Sequence, residues 1–235
     1  MASRRSLSVA VMCFNEAATL ERVVDRARSV LADLVDEYEI VIVDDGSRDG
    51  SGALADGLAA SDPLVSVVHH PSNLGIGEVL RTAYRGARLR FISVIPADDE
   101  FDPEDWRAGV PLMDDRTVVN YTLTEFESPL REFISAAQRL QNRLLFSLHL
   151  TRLNWVKIVP TAHLSELPLI SRSPAVEAEL LVRLLRQGYR IVEIPSHNRT
   201  IVDRTGGLDA RRLLRAIVAG ERDTLRLWWR LRRSP

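Results

Sequence analysis

Lysine is nearly missing from this chain of 235 residues: of 31 basic side chains only Lys157 is a lysine. Positive charge is therefore presented almost wholly by guanidinium forks, which suit phosphate and carboxylate partners, although genomic base composition produces the same bias. Cysteine is as scarce. Cys13 alone excludes an intramolecular disulfide and fits a reducing compartment. No apolar stretch approaches the roughly 18 to 20 residues of a membrane span. The N-terminal MASRRSLSVAVMCFNE carries an apolar run of only about seven residues, broken by Ser8, which is too short for a signal peptide. Net charge is lacking too: 31 basic against 32 acidic groups leave −1, so no global field points to nucleic acid. Internal repeats, low-complexity tracts and long linkers are absent. These absences predict a cytoplasmic chain that is soluble or peripheral, with room for contact at the inner face of the cell membrane.

What remains is an ordinary globular composition, 46% hydrophobic and 27% charged, of a length that suits one folding unit. LSVAVM (7–12) and EIVIV (39–43) read as buried strands. Between them Leu20, Val23, Val24, Ala27, Val30, Leu31 and Leu34 recur with a helical period. The alternation continues with a helix over 50–60, a strand at LVSVVHH, a helix over 77–89 and a strand at FISVI. Strands joined by single helices predict a parallel sheet covered on both faces, with ligands at the carboxyl ends of its strands. Those ends are CFNEA, DDGSRDGS, HPSNLGIG and PADDEFD. From about residue 117 the pattern loosens: a strand at VVNYTLTEF, a long amphipathic helix or helix pair from LREFIS, a short strand within LNWVKIVPTAHL, a helix at AVEAELLVRLLRQG, a strand at YRIVEIPSH and a final basic helix.

The succession FNEAATLERVV, EIVIVDDGSRDGS, HHPSNLGIGEVLRTAYRGA and PADDEFDPED resembles the GT-A glycosyltransferases of the inverting family 2 that contains dolichyl-phosphate mannose synthase and bacterial polyprenyl-phosphate sugar transferases. The resemblance covers residues 7 to 205 and implies an α/β fold of GT-A type with a mostly parallel central sheet. It implies one domain over 1–235, with a nucleotide-sugar half to about 115, an acceptor half over about 116–205 and an amphipathic helix beyond. It assigns the donor nucleotide, UDP- or GDP-linked, to Met12, Phe14, Asn15, Glu16, Asp44, Asp45, Asn73, Gly75 and Ala97. Met12 stands where relatives usually have proline. A carboxylate at such a strand end can accept from a base N–H or ribose hydroxyls. The plain alternative for DDGS is a turn and helix cap, and for NLGIG a tight turn with no ligand.

The acidic segment is where the resemblance puts a divalent cation, Mg²⁺ or Mn²⁺. The family's Asp-x-Asp-x-Gln, laid on PADDE, makes Asp98 the second Asp and Glu100 the Gln, while Pro96 replaces the first Asp. Asp98 and Glu100 are the candidate ligands, hard oxygens for a hard cation that stabilises a leaving diphosphate. Asp99 points elsewhere if the segment is extended. Asp102, Glu104 and Asp105 read as the start of a helix at Pro103.

On the acceptor side the resemblance places a polyprenyl phosphate near Arg131 and Ser135, with Lys157 and Arg204 also in reach of a phosphate. Thr122 and Glu125 replace the two arginines that relatives often have. Glu177 and Glu179 face the sugar site by resemblance. A hydroxyl acceptor would need one of them as general base, whereas an anionic phosphate needs none. Asp98, Glu177, Glu179 and Arg204 are thus the catalytic candidates, and His197 and Arg199 weaker ones. The acid-free stretch 133–165 and the terminal TLRLWWRLRR suit an anionic membrane surface, or else are ordinary helix faces packed by Leu140, Leu144 and Leu148. A non-catalytic relative that binds nucleotide sugar is the alternative from a different class.

Overall fold

The computed structural model describes residues 5–123, 129–151, 153, 155–171, 173–197 and 222–232, with the side chains of 129–131, 133 and 134 excepted. Its first half is the expected alternation: β1 (Ser6–Cys13), α1 (Leu20–Leu34), β2 (Glu37–Asp44), α2 (Ser51–Ser61), β3 (Val65–His69), α3 (Ile76–Gly86) and β4 (Phe91–Pro96). A short 3-10 turn (Pro103–Asp105) and α4 (Trp106–Gly109) lead to β5 (Thr117–Leu123). Then come α5 (Pro129–Phe146), β6 (Lys157–Pro160), α6 (Ala175–Arg186), β7 (Arg190–Ser196) and a helix over 222–232.

Among the described residues seven strands form one sheet in the order β3-β2-β1-β4-β6-β5-β7, and of these only β6 runs against its neighbours, antiparallel to both β4 and β5. The other pairings are parallel. Side chains alternate between the faces with the strand period of two. Ile40 and Ile42 join α1 and α2 on one face, while Val41 and Val43 join α3 and α6 on the other. The six buried residues of α1, Leu20, Val23, Val24, Ala27, Val30 and Leu31, are among those its periodicity picked out. Leu227 and Leu231 of the helix 222–232 pack into the α3/α6 layer.

Register fixes where the loops go. Cys13 pairs with Asp44 and Asp44 with His69, so β1, β2 and β3 end at one level, and Met12 pairs with Pro96 of β4. Four loops therefore leave the same edge of the sheet. Pro96 costs this edge no hydrogen bond. Ala97 N donates toward β1, to Met12 O at 2.9 Å, so the missing N–H of residue 96 would point toward β6, whose pairing with β4 stops at Ser93.

Candidate active site

The loop after β1 is built by the loop after β2. Asn15 sits in the left-handed region (φ 56), which asparagine tolerates. Its N–H donates to Ser47 Oγ (2.9 Å), and its Oδ1 accepts from Arg48 N (2.8 Å). Glu16 N donates to Ser51 Oγ (2.9 Å) and Ala17 N to Asp49 Oδ2 (3.1 Å). Phe14 is left exposed (43%) at the rim.

Both carboxylates of DDGS are buried. Asp44 Oδ1 accepts from Ser47 N (3.0 Å), and its Oδ2 lies 2.9 Å from His69 Nδ1. Burial pushes the Asp44 carboxyl up, but bonds from Ser47 and His69 outweigh this and hold it below its ordinary value. The His69 imidazole, between Asp56 and Asp44, is raised by both. Asp45 reaches the third loop: Oδ1 accepts from Leu74 N (2.9 Å), Oδ2 from Gly75 N (3.0 Å), and Oδ1 also meets His70 Nδ1 (2.7 Å). His70 Nε2 continues to Thr82 Oγ1 of α3 (2.9 Å). Gly46 is required here, because at φ +72 a Cβ would stand 2.5 Å from the backbone carbon of Ser72. DDGS thus makes the turn but not the helix cap, since α2 starts after Gly50 with no side-chain cap, and the two aspartates clamp the loops around the edge. Asn73 is exposed on that third loop, Met12 is half-buried at the end of β1, and Ala97 is buried beside it, after β4.

In the fourth loop Asp98 and Glu100 are half-buried, and Asp98 Oδ1 accepts from Glu100 N (3.0 Å). Asp99 turns away, as expected, into ion pairs with Arg22 (2.9 Å) and Arg26 (3.1 Å) of α1. It does so through a left-handed backbone (φ 63) rather than an extended one. Asp102 Oδ1 caps the turn by accepting from Glu104 N (3.1 Å). Asp105 has a second use: Oδ2 accepts from Ser196 Oγ (2.6 Å) and His197 N (3.1 Å), tying the end of β7 to the acidic loop.

The acceptor half departs from expectation at two residues. Lys157 does not reach outward. It is 4% exposed, donates to the carbonyls of Leu153 (2.5 Å) and Trp155 (2.7 Å), and lies 2.7 Å from Glu177 Oε2. The ammonium group is thus engaged inside the protein by two carbonyls and a carboxylate, which corrects its reading as a phosphate contact. The Glu177 contact has ion-pair distance without hydrogen-bond alignment, so Oε2 is buried with no hydrogen-bond donor. Glu179 is corrected as a candidate base. It is fully buried, its Oε2 accepts from Ile170 N and Ser171 N (2.9 Å each), and its Oε1 accepts from Arg183 Nε (3.0 Å) and Nη2 (2.9 Å). Four donors on two oxygens leave no lone pair for a substrate proton.

Thr122 is buried and donates to Ile194 O (3.3 Å). Ser135 is half-buried on α5, and Arg131 lies on the same helix. Glu125, Arg199 and Arg204 lie outside the described residues. The histidines His69 and His70 join the site without having been among its candidates. DD ending β2 and HH ending the neighbouring β3 were visible as dipeptides, and parallel register places Asp44 opposite His69.

Two carboxylates, Asp98 and Glu100, suit a hard cation, and among the described residues no group of three or more His, Cys, Asp or Glu forms a complete cage. Mg²⁺ commonly binds through one or two carboxylates and takes its other ligands from water and substrate phosphates, a donor set that two such side chains can begin.

Residues 8–165 match the family described as glycosyl transferase family 2. The chain belongs to that family. This makes it a glycosyltransferase. Over 196 residues it is 29% identical to the undecaprenyl-phosphate mannosyltransferase of Micrococcus luteus, a match spanning 77% of this chain and 79% of that one. Over 101 residues it is 36% identical to the polyprenol monophosphomannose synthase of Mycolicibacterium smegmatis, spanning 41% of this chain and 37% of that one. Mannosyl-3-phosphoglycerate synthase from Rubrobacter xylanophilus superposes with a TM-score of 0.69 at 17% identity, over 97% of this chain and 75% of that one. A mannosyltransferase from Pyrobaculum calidifontis, solved with GDP-Man and Mn²⁺, superposes with 0.62 at 19% identity, over 87% and 59%. The fold is that of the GT-A glycosyltransferases.

Proposed function

We propose that this glycosyltransferase moves a hexose, with inversion, from a UDP- or GDP-linked donor to a polyprenyl phosphate, aided by a divalent cation. The observation that carries the donor half is the convergence of four strand-end loops on one sheet edge, with the loop of Asp98 and Glu100 next to that of Phe14–Glu16 and the loop 73–75 leaving the same edge. The exposed ring of Phe14 can stack on the base. Asn15, Glu16 and Asn73 offer hydrogen-bond partners to base and ribose. Asp44 and Asp45 act chiefly by fixing the loops that carry them, and Met12, Gly75 and Ala97 shape the floor. Asp98 and Glu100 would hold the cation, which neutralises charge gathering on the leaving diphosphate when bound. Mn²⁺ or Mg²⁺ in solved neighbours supports this reading.

The phosphate acceptor is favoured over a hydroxyl by the state of the base candidates. An anionic phosphate oxygen attacks without losing a proton. Glu179 has no free lone pair, and Glu177 is held by Lys157. The named acceptors of the two sequence relatives point the same way. Arg131, Ser135 and Arg204 are the proposed phosphate contacts.

A lipid acceptor requires access to a membrane surface. Leu140 and Leu144 on α5 are 57% and 71% exposed, and only Leu148 of the expected packing set is buried. On the helix 222–232, Leu225 and Trp229 are exposed one turn apart among the exposed Arg222, Arg226 and Arg230. Such faces suit the interface of an anionic bilayer at the cytoplasmic side. Among the described residues no helix is long and apolar enough to cross one.

The test is an incubation of labelled UDP-glucose or GDP-mannose with polyprenyl phosphate in vesicles and Mn²⁺. Label passing into the organic phase supports the proposal. Label confined to a water-soluble product rejects the lipid acceptor. The double variant Leu144→Glu/Trp229→Glu is expected to lower co-sedimentation with anionic vesicles about tenfold, since each apolar side chain removed from an interface is worth on the order of 1 kcal/mol or more. Unchanged sedimentation would remove these faces from the account.

A further inference from the structure

We propose that Asp99, gripped by Arg22 and Arg26, is a positioning residue that sets the acidic loop so that Asp98 and Glu100 face the cation together. The inference rests on the metal-assisted transfer proposed above. Three consecutive carboxylates, Asp98, Asp99 and Glu100, repel one another, and a left-handed backbone at a residue other than glycine costs energy. Both costs need a compensating partner. Two interactions provide it: the turn closed by Asp98 Oδ1 on Glu100 N (3.0 Å), and the two guanidinium groups on Asp99.

The division of labour is geometric. Arg22 Nε meets Oδ2 at 2.9 Å and Arg26 Nη1 meets Oδ1 at 3.1 Å, so the two arginines take different oxygens. Spacing of four puts both arginines on one face of α1. Asp99 is 6% exposed, so its charge is neutralised by α1, inside the protein. Its neighbours Asp98 and Glu100 are half-buried, more open than Asp99 itself. The helix that supplies the clamp also begins at the first loop, where Glu16 O accepts from Thr19 N (3.1 Å) and Leu20 N (3.0 Å). The loop proposed to carry the nucleoside and the loop proposed to carry the cation are therefore fixed to one rigid body. This helix-borne clamp stands beside the replacement of the family's first acid by Pro96, and the loop's orientation comes to depend on Asp99.

The variants Asp99→Leu, Asp99→Asn and the double Arg22→Met/Arg26→Met separate charge from backbone. Mn²⁺ affinity is read from the free-ion paramagnetic resonance signal in the presence of GDP or UDP, whichever binds the unmodified protein. Nucleotide affinity without metal is read by calorimetry in EDTA. Asp99→Leu and the double variant are expected to weaken Mn²⁺ binding roughly tenfold, the scale on which residues behind a metal ligand act. Asp99→Asn, which tolerates the left-handed backbone and keeps a polar acceptor, should fall between them and the unmodified protein. Metal-free nucleotide affinity should hold within about twofold, since the loops after β1 and β3 are unchanged. Unaltered Mn²⁺ affinity in all three variants overturns the positioning role. An equal loss of metal-free nucleotide binding also overturns it, because the clamp would then act only on general folding. If the unmodified protein shows no metal-linked nucleotide binding, the cation reading itself falls, and this inference with it.

Discussion

In the first half of the chain Asp44 and Asp45 are held by backbone N–H groups and by histidines, whereas in the second half Glu177 is held by Lys157, and Glu179 by Arg183 together with the backbone N–H groups of Ile170 and Ser171. All four are buried. The first arrangement leaves the carboxylates inside the loops that line the sheet edge, so they order those loops. The second ties helix α6 to β6 and to the segment 169–171, whose carbonyls at Leu169 and Ser171 are gripped from the other side by Arg81 (3.1 and 2.9 Å). A buried acid paired with a cationic side chain is a structural joint, and it withdraws both partners from chemistry with a substrate.

Removing one side of such a joint tests this contrast most harshly. Lys157→Met leaves Glu177 buried beside no cation and should destabilise the protein by about 3 to 5 kcal/mol. The double variant Lys157→Met/Glu177→Leu should recover most of that in denaturant titration. A double variant as unstable as the single would mean that packing, not charge, makes the joint.

In the first half the vulnerable element is backbone. Gly46→Ala forces a Cβ toward Ser72 at a left-handed φ, with an expected cost of about 1 to 3 kcal/mol and a displaced 72–75 loop. Nucleotide affinity should fall with it, while Lys157→Met measured below its melting transition should keep that affinity. Equal effects on nucleotide binding would erase the distinction between the halves.

The smallest effect concerns pH. The Asp44 carboxyl is lowered from 3.8 and the His69 imidazole raised from 6.5. A lowered acid contributes stability above its unfolded pKa that is lost as pH falls through its folded one. A raised imidazole contributes stability below its unfolded pKa that is lost as pH rises through its folded one. The pair is therefore strongest between those two values and fades above 6.5. His69 is well exposed, so His69→Gln should cost less than about 1 kcal/mol near pH 5.5 and nothing near pH 9. An equal cost at both would show that the ring acts only as a hydrogen-bond partner.

The same contrast explains what could be read from residues alone. The strand-helix alternation, the apolar face of α1 and the turn at DDGS are local patterns, and the structure realises each of them. The cap at Asp102 was equally local. The joints of the second half are not. Lys157 and Glu177 are 20 residues apart, and Arg81 meets carbonyls 88 and 90 residues away. Nothing in LNWVK signals that its lysine turns inward, or that β6 enters the sheet between β4 and β5 against their direction. The family resemblance carried roles to Lys157 and Glu179 by position, and burial with internal partners overrode them. Asp99 was half legible: its departure from Asp98 and Glu100 was expected, but its partners on α1 lie 77 and 73 residues away.

The central claim is that the loop after β4 serves a cation bound with the donor diphosphate. Calorimetric titration of the unmodified protein and of Asp98→Ala with UDP- and GDP-sugars, with and without Mn²⁺, tests it most directly. Binding to the unmodified protein should be at least about tenfold tighter with Mn²⁺, and Asp98→Ala should lose that gain. Binding that is indifferent to Mn²⁺, or a gain that survives in Asp98→Ala, would contradict it.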